Sequence, residues 1–449
     1  MKLSFLRRGL FMTASILVVS GMAAQAEAAY GQQGFFTGRV KPDGSIDLRN
    51  PIAPRANGAV AGQSIAQRPR PDYDPTPFDV GSFQMFPSIE VGPVFDSNIY
   101  SQPNGEKSDY VWAVRPGVSF FSNWGRHALS FGAQGDFGYY TFHERENFSD
   151  GVLNMSGRFD LANRTYVQYG ADYQRLTEER GAPDNLGAAA EATTFNYSHG
   201  FAGMLRKQGR VDLGAKHHFS RFDYDPVENI GGGETNLNFR NRNIHAVTTE
   251  LGVEIMRFWR PFVRGQYNWR DFDDNALHNS QGYSAVAGSG FEFGGGTVTG
   301  ELYGGIMASN YRNWNADGAG NSTGDFKFGG NALWNITGMT SLVLEMDRTL
   351  EDTTTTGYRS FISTGGSATV QHELQRNILL EAKAGVTRYD FNGAPERQDD
   401  MVNTGAGARY FFNRNFYADL EYDFTNRDSN FSANDYDRHI VQLRFGAQM

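Results

Sequence analysis

The stretch Phe416-Tyr417-Ala418-Asp419-Leu420-Glu421-Tyr422-Asp423-Phe424 decides how the rest of the chain is read. Phe416, Ala418, Leu420, Tyr422 and Phe424 alternate with Tyr417 and three acids, Asp419, Glu421 and Asp423. Successive side chains of a strand point to opposite faces, so one face here is apolar and the other charged. After a polar loop at Asn426–Asn434 the alternation resumes. Val441, Leu443, Phe445 and Met449 share one face; Arg438, Gln442 and Arg444 share the other. A soluble sheet must cover its apolar face with a second layer. A transmembrane barrel turns that face to lipid and the charged face to a wet lumen.

The same pattern runs back to about Ser82. Ile89, Val91 and Phe95 alternate with Glu90, Gly92 and Asp96, and Leu129, Phe131 and Ala133 with Ser130 and Gln134. Ile378, Leu380, Ala382, Ala384 and Val386 alternate with Glu381, Lys383 and Thr387. No helical period of comparable length competes. Connections alternate short and long. Short ones lie at Asn123, Asn163-Arg164, Gly294–Gly296, Gln375-Arg376 and Asn413-Arg414; long ones at Ser101–Lys107, Glu178–Glu191, Asp225–Phe239, Asn313–Gly324 and Ala394–Asp399. Bacterial barrels have short periplasmic turns and long extracellular loops. The expectation is an all-β, antiparallel, up-and-down transmembrane barrel of roughly 18 strands, 16–18 by this spacing. Aromatics at the strand ends are expected to form two interfacial girdles: Tyr100, Tyr110, Trp269, Tyr311, Tyr389 and Tyr436 outside, Trp124, Trp259, Trp334 and Phe412 inside.

The bulk figures fit. Mean hydropathy is -0.50, and no segment beyond the N-terminus holds the ~18 apolar residues of a spanning helix. Barrel strands are half polar and pass that filter. There is no cysteine, hence neither a disulfide framework nor a cysteine metal site. The formal charge is -9; removing Lys2, Arg7 and Arg8 with the leader gives -9 - 3 = -12. An acidic chain without a basic run excludes nucleic acid as a partner.

Three regions follow. Residues 1–26 read as a secretory signal: Lys2, Arg7 and Arg8, an apolar run at Leu10–Val19, and Ala24-Gln25-Ala26 as a cleavage site. Residues 27–80 are rich in Pro, Gly and Gln and lack either period; they are expected to be a disordered periplasmic extension, or a plug. Residues 81–449 form the barrel.

Arg68-Pro69-Arg70-Pro71-Asp72-Tyr73-Asp74-Pro75, Gly81–Gly92 and Phe95-Asp96-Ser97-Asn98-Ile99-Tyr100 resemble the first-strand region of the "putative beta-barrel porin 2" group of proteobacterial outer-membrane proteins. The loop Glu178-Glu179-Arg180-Gly181-Ala182-Pro183 is similar to that group's loops too. The resemblance covers essentially the whole mature chain. It implies an outer-membrane barrel, with surface-polysaccharide production associated with some members, and supplies no catalytic motif. Met449 stands where such barrels usually carry Phe or Trp, while Phe445 keeps the outward phase.

Enzymatic chemistry finds little to work with. The histidines are scattered, and His217-His218 point to opposite faces of one strand. Of these, His218 is within reach of Glu250 or Glu254 on the next strand. The chain is therefore read as no enzyme, with no cofactor and no metal. The informative residues are those aimed inward: Arg115, Asp136, Lys216, Glu250, Glu254, Arg264, Arg270, Glu345, Glu381, Lys383, Asp419 and Glu421 as pore-lining candidates. Beside them stand Glu90, Asp172, Glu301, Asp347, Lys327, Arg409 and Arg444. The expected function is a porin-like passive or weakly selective channel for small polar solutes. The rival is a barrel for export or assembly of a surface polysaccharide. Expected partners are outer-membrane lipid, the barrel-assembly machinery with periplasmic chaperones, and, for the rival, polysaccharide-secretion components.

Overall fold

The computed structural model describes residues 62–162, 164–185, 189–312 and 321–449. The signal-sequence reading, the part of the extension before Gly62, Asn163 and most of the Asn313–Gly324 loop lie outside the described residues.

The chain is all-β. A short strand, β1 (Phe78–Val80), precedes β2 (Phe83–Asp96), β3 (Asp109–Ser122), β4 (Ala128–Tyr140), β5 (Phe148–Ala162), β6 (Thr165–Thr177), β7 (Thr194–Gln208) and β8 (Val211–Tyr224). An outer loop carries the two-residue strands β9 (Val227–Glu228) and β10 (Glu234–Thr235). Then follow β11 (Arg242–Val253), β12 (Trp259–Phe272), β13 (Ser280–Phe293), β14 (Val298–Tyr311), β15 (Ser322–Thr337) and β16 (Thr340–Asp352). The last five are β17 (Tyr358–Gln375), β18 (Ile378–Gly393), β19 (Arg397–Phe411), β20 (Phe416–Ser429) and β21 (Tyr436–Gln448).

Each long strand pairs antiparallel with its sequence neighbours, and β8 pairs β11 across the β9–β10 loop. β21 closes onto β2. Omitting β1, β9 and β10, 21 - 3 = 18 strands form the closed barrel, as the alternation predicts. Closure removes every sheet edge, which lipid demands because it offers backbone groups no hydrogen bonds. At the closing seam pairing breaks at Gly92 and Pro93. A Cβ on Gly92 would fall 1.9 Å from the Leu443 carbonyl oxygen, and Pro93 has no N–H to offer. Just past that seam β1 takes over the edge of β2 that β21 leaves at Met449.

The two faces match the sequence phase. Leu420, Val441 and Phe445 are exposed, whereas Asp419, Asp423 and Arg438 are buried. The inner girdle is real: Trp124, Trp259, Trp334 and Phe412 are exposed beside the short turns. The outer one is half wrong. Tyr110 is exposed, but Tyr311, Tyr389 and Tyr436 are buried; they lie on the lumen phase, in an interior that is packed at this end. Nor are all outer connections long, since only residues 394–396 separate β18 from β19.

Candidate functional site: the charged lumen and its inward loop

Alternation brings the inward charges together as cross-strand neighbours, and almost all are paired. On one wall Arg409 grips Asp419 with two nitrogens at 2.6 and 2.7 Å. Arg444 reaches Glu421 at 3.1 Å, and Lys383 bridges Glu421 at 2.7 Å and Asp423 at 2.9 Å. The Tyr417 hydroxyl donates to Glu90 at 2.6 Å, and Arg115 holds Asp136 at 2.9 Å. Glu381 keeps the lumen phase and accepts from Gln371 at 3.1 Å. On the facing wall Glu250 sits between Arg260 and Arg264, both at 2.7 Å, and Arg264 continues to Glu301 at 3.3 Å. Lys216 is buried over the Phe201 ring, 4.4 Å from its centroid. Glu345 lies inward on β16, opposite Asn331. Paired charges of this kind leave a mixed field of oriented dipoles facing the water, with little net charge at any one spot.

Two candidates sit elsewhere than expected. Glu254 lies one residue beyond β11, at the inner rim, bound to Lys207 at 2.5 Å. It belongs to a turn because the strand has already ended. Arg270 leaves the wall and meets Asp352 at 2.7 Å, at the tip of β16. The expected meeting of His218 with Glu250 or Glu254 does not occur. Both carboxylates are taken by cations, and His218 instead faces His199 at 3.3 Å, with Asp172 on the far nitrogen of His199 at 2.8 Å.

The sequence reading missed the loop that crosses the outer lumen. Residues 178–185 leave β6 and are held in turn by both walls. Arg240 donates to both oxygens of Glu178 at 2.6 and 3.0 Å. Burial works against the Arg240 charge, and the Glu178 carboxylate more than offsets it, holding the guanidinium above its ordinary value. Arg438 holds Glu179 at 2.7 Å, and Glu146 accepts from Arg180 Nε at 3.0 Å. Arg427 donates to the Gly181 carbonyl at 3.2 Å and Arg397 to that of Pro183 at 3.4 Å. Asp184 accepts from Thr353, and from Thr355 at 3.2 Å, beyond the tip of β16. Seven strands separate β6 from β16 in the ring (β7, β8 and β11–β15), so the loop spans the bore. The only sequence hint was an unusual charge density in a long loop.

The β16–β17 tip folds inward to meet it. Pairing of β16 with β15 stops at Arg348, while its pairing with β17 continues to Asp352. Leu350 and Ile362 of this tip pack on the inward Met307 of β14. Tyr358, Phe361, Tyr389, Phe391 and Met401 form a second buried cluster. Leu176, Phe195, Tyr197, Tyr224, Val227 and Leu237 belong to a third, under the β9–β10 loop. The outer lumen is thus narrowed by apolar packing, and the charged walls lie below it.

The inner mouth is partly covered too. From Gly62 onward the residues before β1 run as a strap along the inner turns. Ile65 N–H donates to Ser341 Oγ at 2.8 Å, and Arg68 to the Gly338 carbonyl at 2.6 Å. Arg70 meets Glu373 at 3.3 Å, and Gln448 donates to the Tyr73 carbonyl at 3.2 Å. Ile65 and Arg70 are buried. Contacts too irregular to leave a period in the sequence fix the strap in place.

A sequence profile described as "Putative beta-barrel porin 2" matches residues 70–449. No curated protein matches the chain. Among solved structures, similarity extends to the siderophore receptor PiuA from Acinetobacter baumannii, with 11% identity, a TM-score of 0.43, and coverage of 83% of this chain and 82% of that one. The outer membrane protein opdK from Pseudomonas aeruginosa gives 9% identity and a TM-score of 0.41, covering 81% and 99%. OccK9 (OpdG), also from Pseudomonas aeruginosa, gives 11% and 0.43, covering 81% and 98%.

Proposed function

Because this chain belongs to the "putative beta-barrel porin 2" family of barrel porins, we propose that it is an outer-membrane channel for small polar solutes, narrowed at its outer end by the loop 178–185. The observation that carries this reading is the loop itself. It is held across the lumen by charge-assisted hydrogen bonds from Arg240, just before β11, and from Arg438, Arg427 and Arg397 on the adjacent strands β21, β20 and β19, while Asp184 accepts from Thr353 and Thr355 beyond β16. A wall built only for stability needs no such crossing. A constriction must be fixed in position to sort solutes by size and charge. Below it, Lys383, Glu421 and Arg264 present both signs of charge to water, which suits polar solutes and opposes apolar ones.

Planar-bilayer recording of the refolded mature chain tests this. The expected result is a small ohmic conductance that grows when residues 179–185 are replaced by a short Gly-Ser linker. Folded barrels that pass no current, before or after that replacement and removal of the strap, would overturn it and leave a scaffold barrel in a polysaccharide assembly.

A further inference from the structure

Eight short turns join the strands at the inner end of the barrel. Six carry an exposed arginine: Arg126, Arg164, Arg210, Arg257, Arg376 and Arg414. Among the described residues of these eight turns, Glu254 is the one acid, and Lys207 already neutralises it. The two turns without arginine, at Gly294 and Gly338, are where the strap docks, and Arg68 of the strap lies on Gly338. The outer loops are acidic on balance, with Glu106, Glu144, Glu234, Asp274 and Glu396 exposed against Lys107, Arg145 and Arg312. Each arginine also has an exposed apolar neighbour close in sequence. Trp124 precedes Arg126, Phe258 and Trp259 follow Arg257, and Phe412 and Phe416 flank Arg414.

We propose that these arginines form a ring that selects anionic phospholipid headgroups in the inner leaflet around the barrel. A guanidinium matches a phosphate with two parallel hydrogen bonds, and the adjacent ring anchors it at the headgroup level. The arrangement around the barrel chooses the partner. An acidic protein docks on one patch, whereas charges spread over six of the eight turns face what surrounds a barrel, which is lipid. Among the described residues, Arg376 is the one of the six in an ion pair, with Glu373 at 3.4 Å, and 71% of its side chain remains exposed; Arg210 and Arg257 feel the charge of Glu254 and Arg414 that of Asp74 without pairing with them. The inference needs a barrel that spans a bilayer, and is independent of whether the lumen conducts.

The native Trp124, Trp259 and Trp334 report the lipid beside these turns. The test uses the full mature chain with Trp112→Phe, Trp269→Phe and Trp314→Phe, folded into phosphatidylcholine vesicles containing brominated phosphatidylglycerol or brominated phosphatidylcholine. Quenching is expected to give the anionic lipid a relative binding constant of about 5, the gain one basic residue obtains at an anionic surface. Changing the six arginines to Gln should bring it to about 1, and high salt should do the same to the unmodified ring. Equal quenching by the two lipids overturns the proposal. So does a preference that survives either the six substitutions or high salt. Heat-modifiable migration confirms folding of each variant; if the six-fold variant does not fold, the salt arm decides alone.

Discussion

Arg438, on the last strand, binds Asp96 of the first barrel strand through Nε at 2.9 Å and Glu179 of the inward loop through Nη1 at 2.7 Å. One guanidinium therefore joins the closing seam to the constriction. Its two partners separate the two jobs. Glu179→Gln leaves the Asp96 pair in place and should cost the barrel little. It removes one charge-assisted bond from the loop, worth about 1.5–3 kcal/mol. The expected outcome is a larger and noisier single-channel current with unchanged heat-modifiability. A current identical to the parent's would show that this contact does not position the loop.

Leu420 faces lipid and should not tolerate Arg, at a cost of about 2–4 kcal/mol near the bilayer midplane. Asp419, its neighbour, is a poor control for the lumen face. It is buried and doubly bonded to Arg409, so Asp419→Arg sets like charges together and should also fail. Asn331 is the better control: it is exposed, on the lumen phase, and opposite Glu301 and Glu345. Asn331→Arg should fold as well as the parent in urea titrations of vesicle-inserted protein. Equal destabilisation by Leu420→Arg and Asn331→Arg would reverse the face assignment.

Inward acids outnumber inward bases, and residues such as Glu381 face the lumen without a cation at hydrogen-bonding distance in the described contacts. The open channel should therefore prefer cations, and weakly, since most acids are paired. Reversal potentials in a salt gradient should show this at low ionic strength. The preference should fade near 1 M, where screening shortens to about 3 Å. Anion preference at low salt would contradict the lumen described above.

The strap should respond to pH through Asp74. Burial pushes its carboxyl up from 3.8 to about 6, while the Arg70 backbone N–H and charge pull it down. The docked strap thus binds the proton more tightly than the free strap does. Its contribution to docking is complete below pH 3.8 and is lost as pH rises through about 6. The chain has no cysteine, so a nitroxide on Ala66→Cys reports the strap alone. Its mobile fraction should grow between pH 5 and 7.5, and Asp74→Asn should flatten that change. A pH-independent spectrum in the parent would remove Asp74 from this role.

The sequence alone determined the barrel, because each strand records its own two faces. Phe416, Leu420 and Phe424 must leave water whatever the rest of the chain does, and Asp419 and Glu421 must keep it or a partner. Repeated along the chain, that local requirement yields the strands, their phase, their number and the inner aromatic belt. Only the tertiary structure decided what fills the bore. Glu179 and Arg438 are 259 residues apart, and neither position has a periodic signature that announces the other. Tyr311 and Tyr389 look like girdle residues from their place at strand ends. They are buried because inward-folded loops turn the outer lumen into a small apolar core. Arg70 and Ile65 lie in a stretch without period, and their partners Glu373 and Ser341 come from distant strands. Alternation is a property of neighbours along the chain, whereas a constriction and a strap are made of pairs that meet only once the barrel has closed.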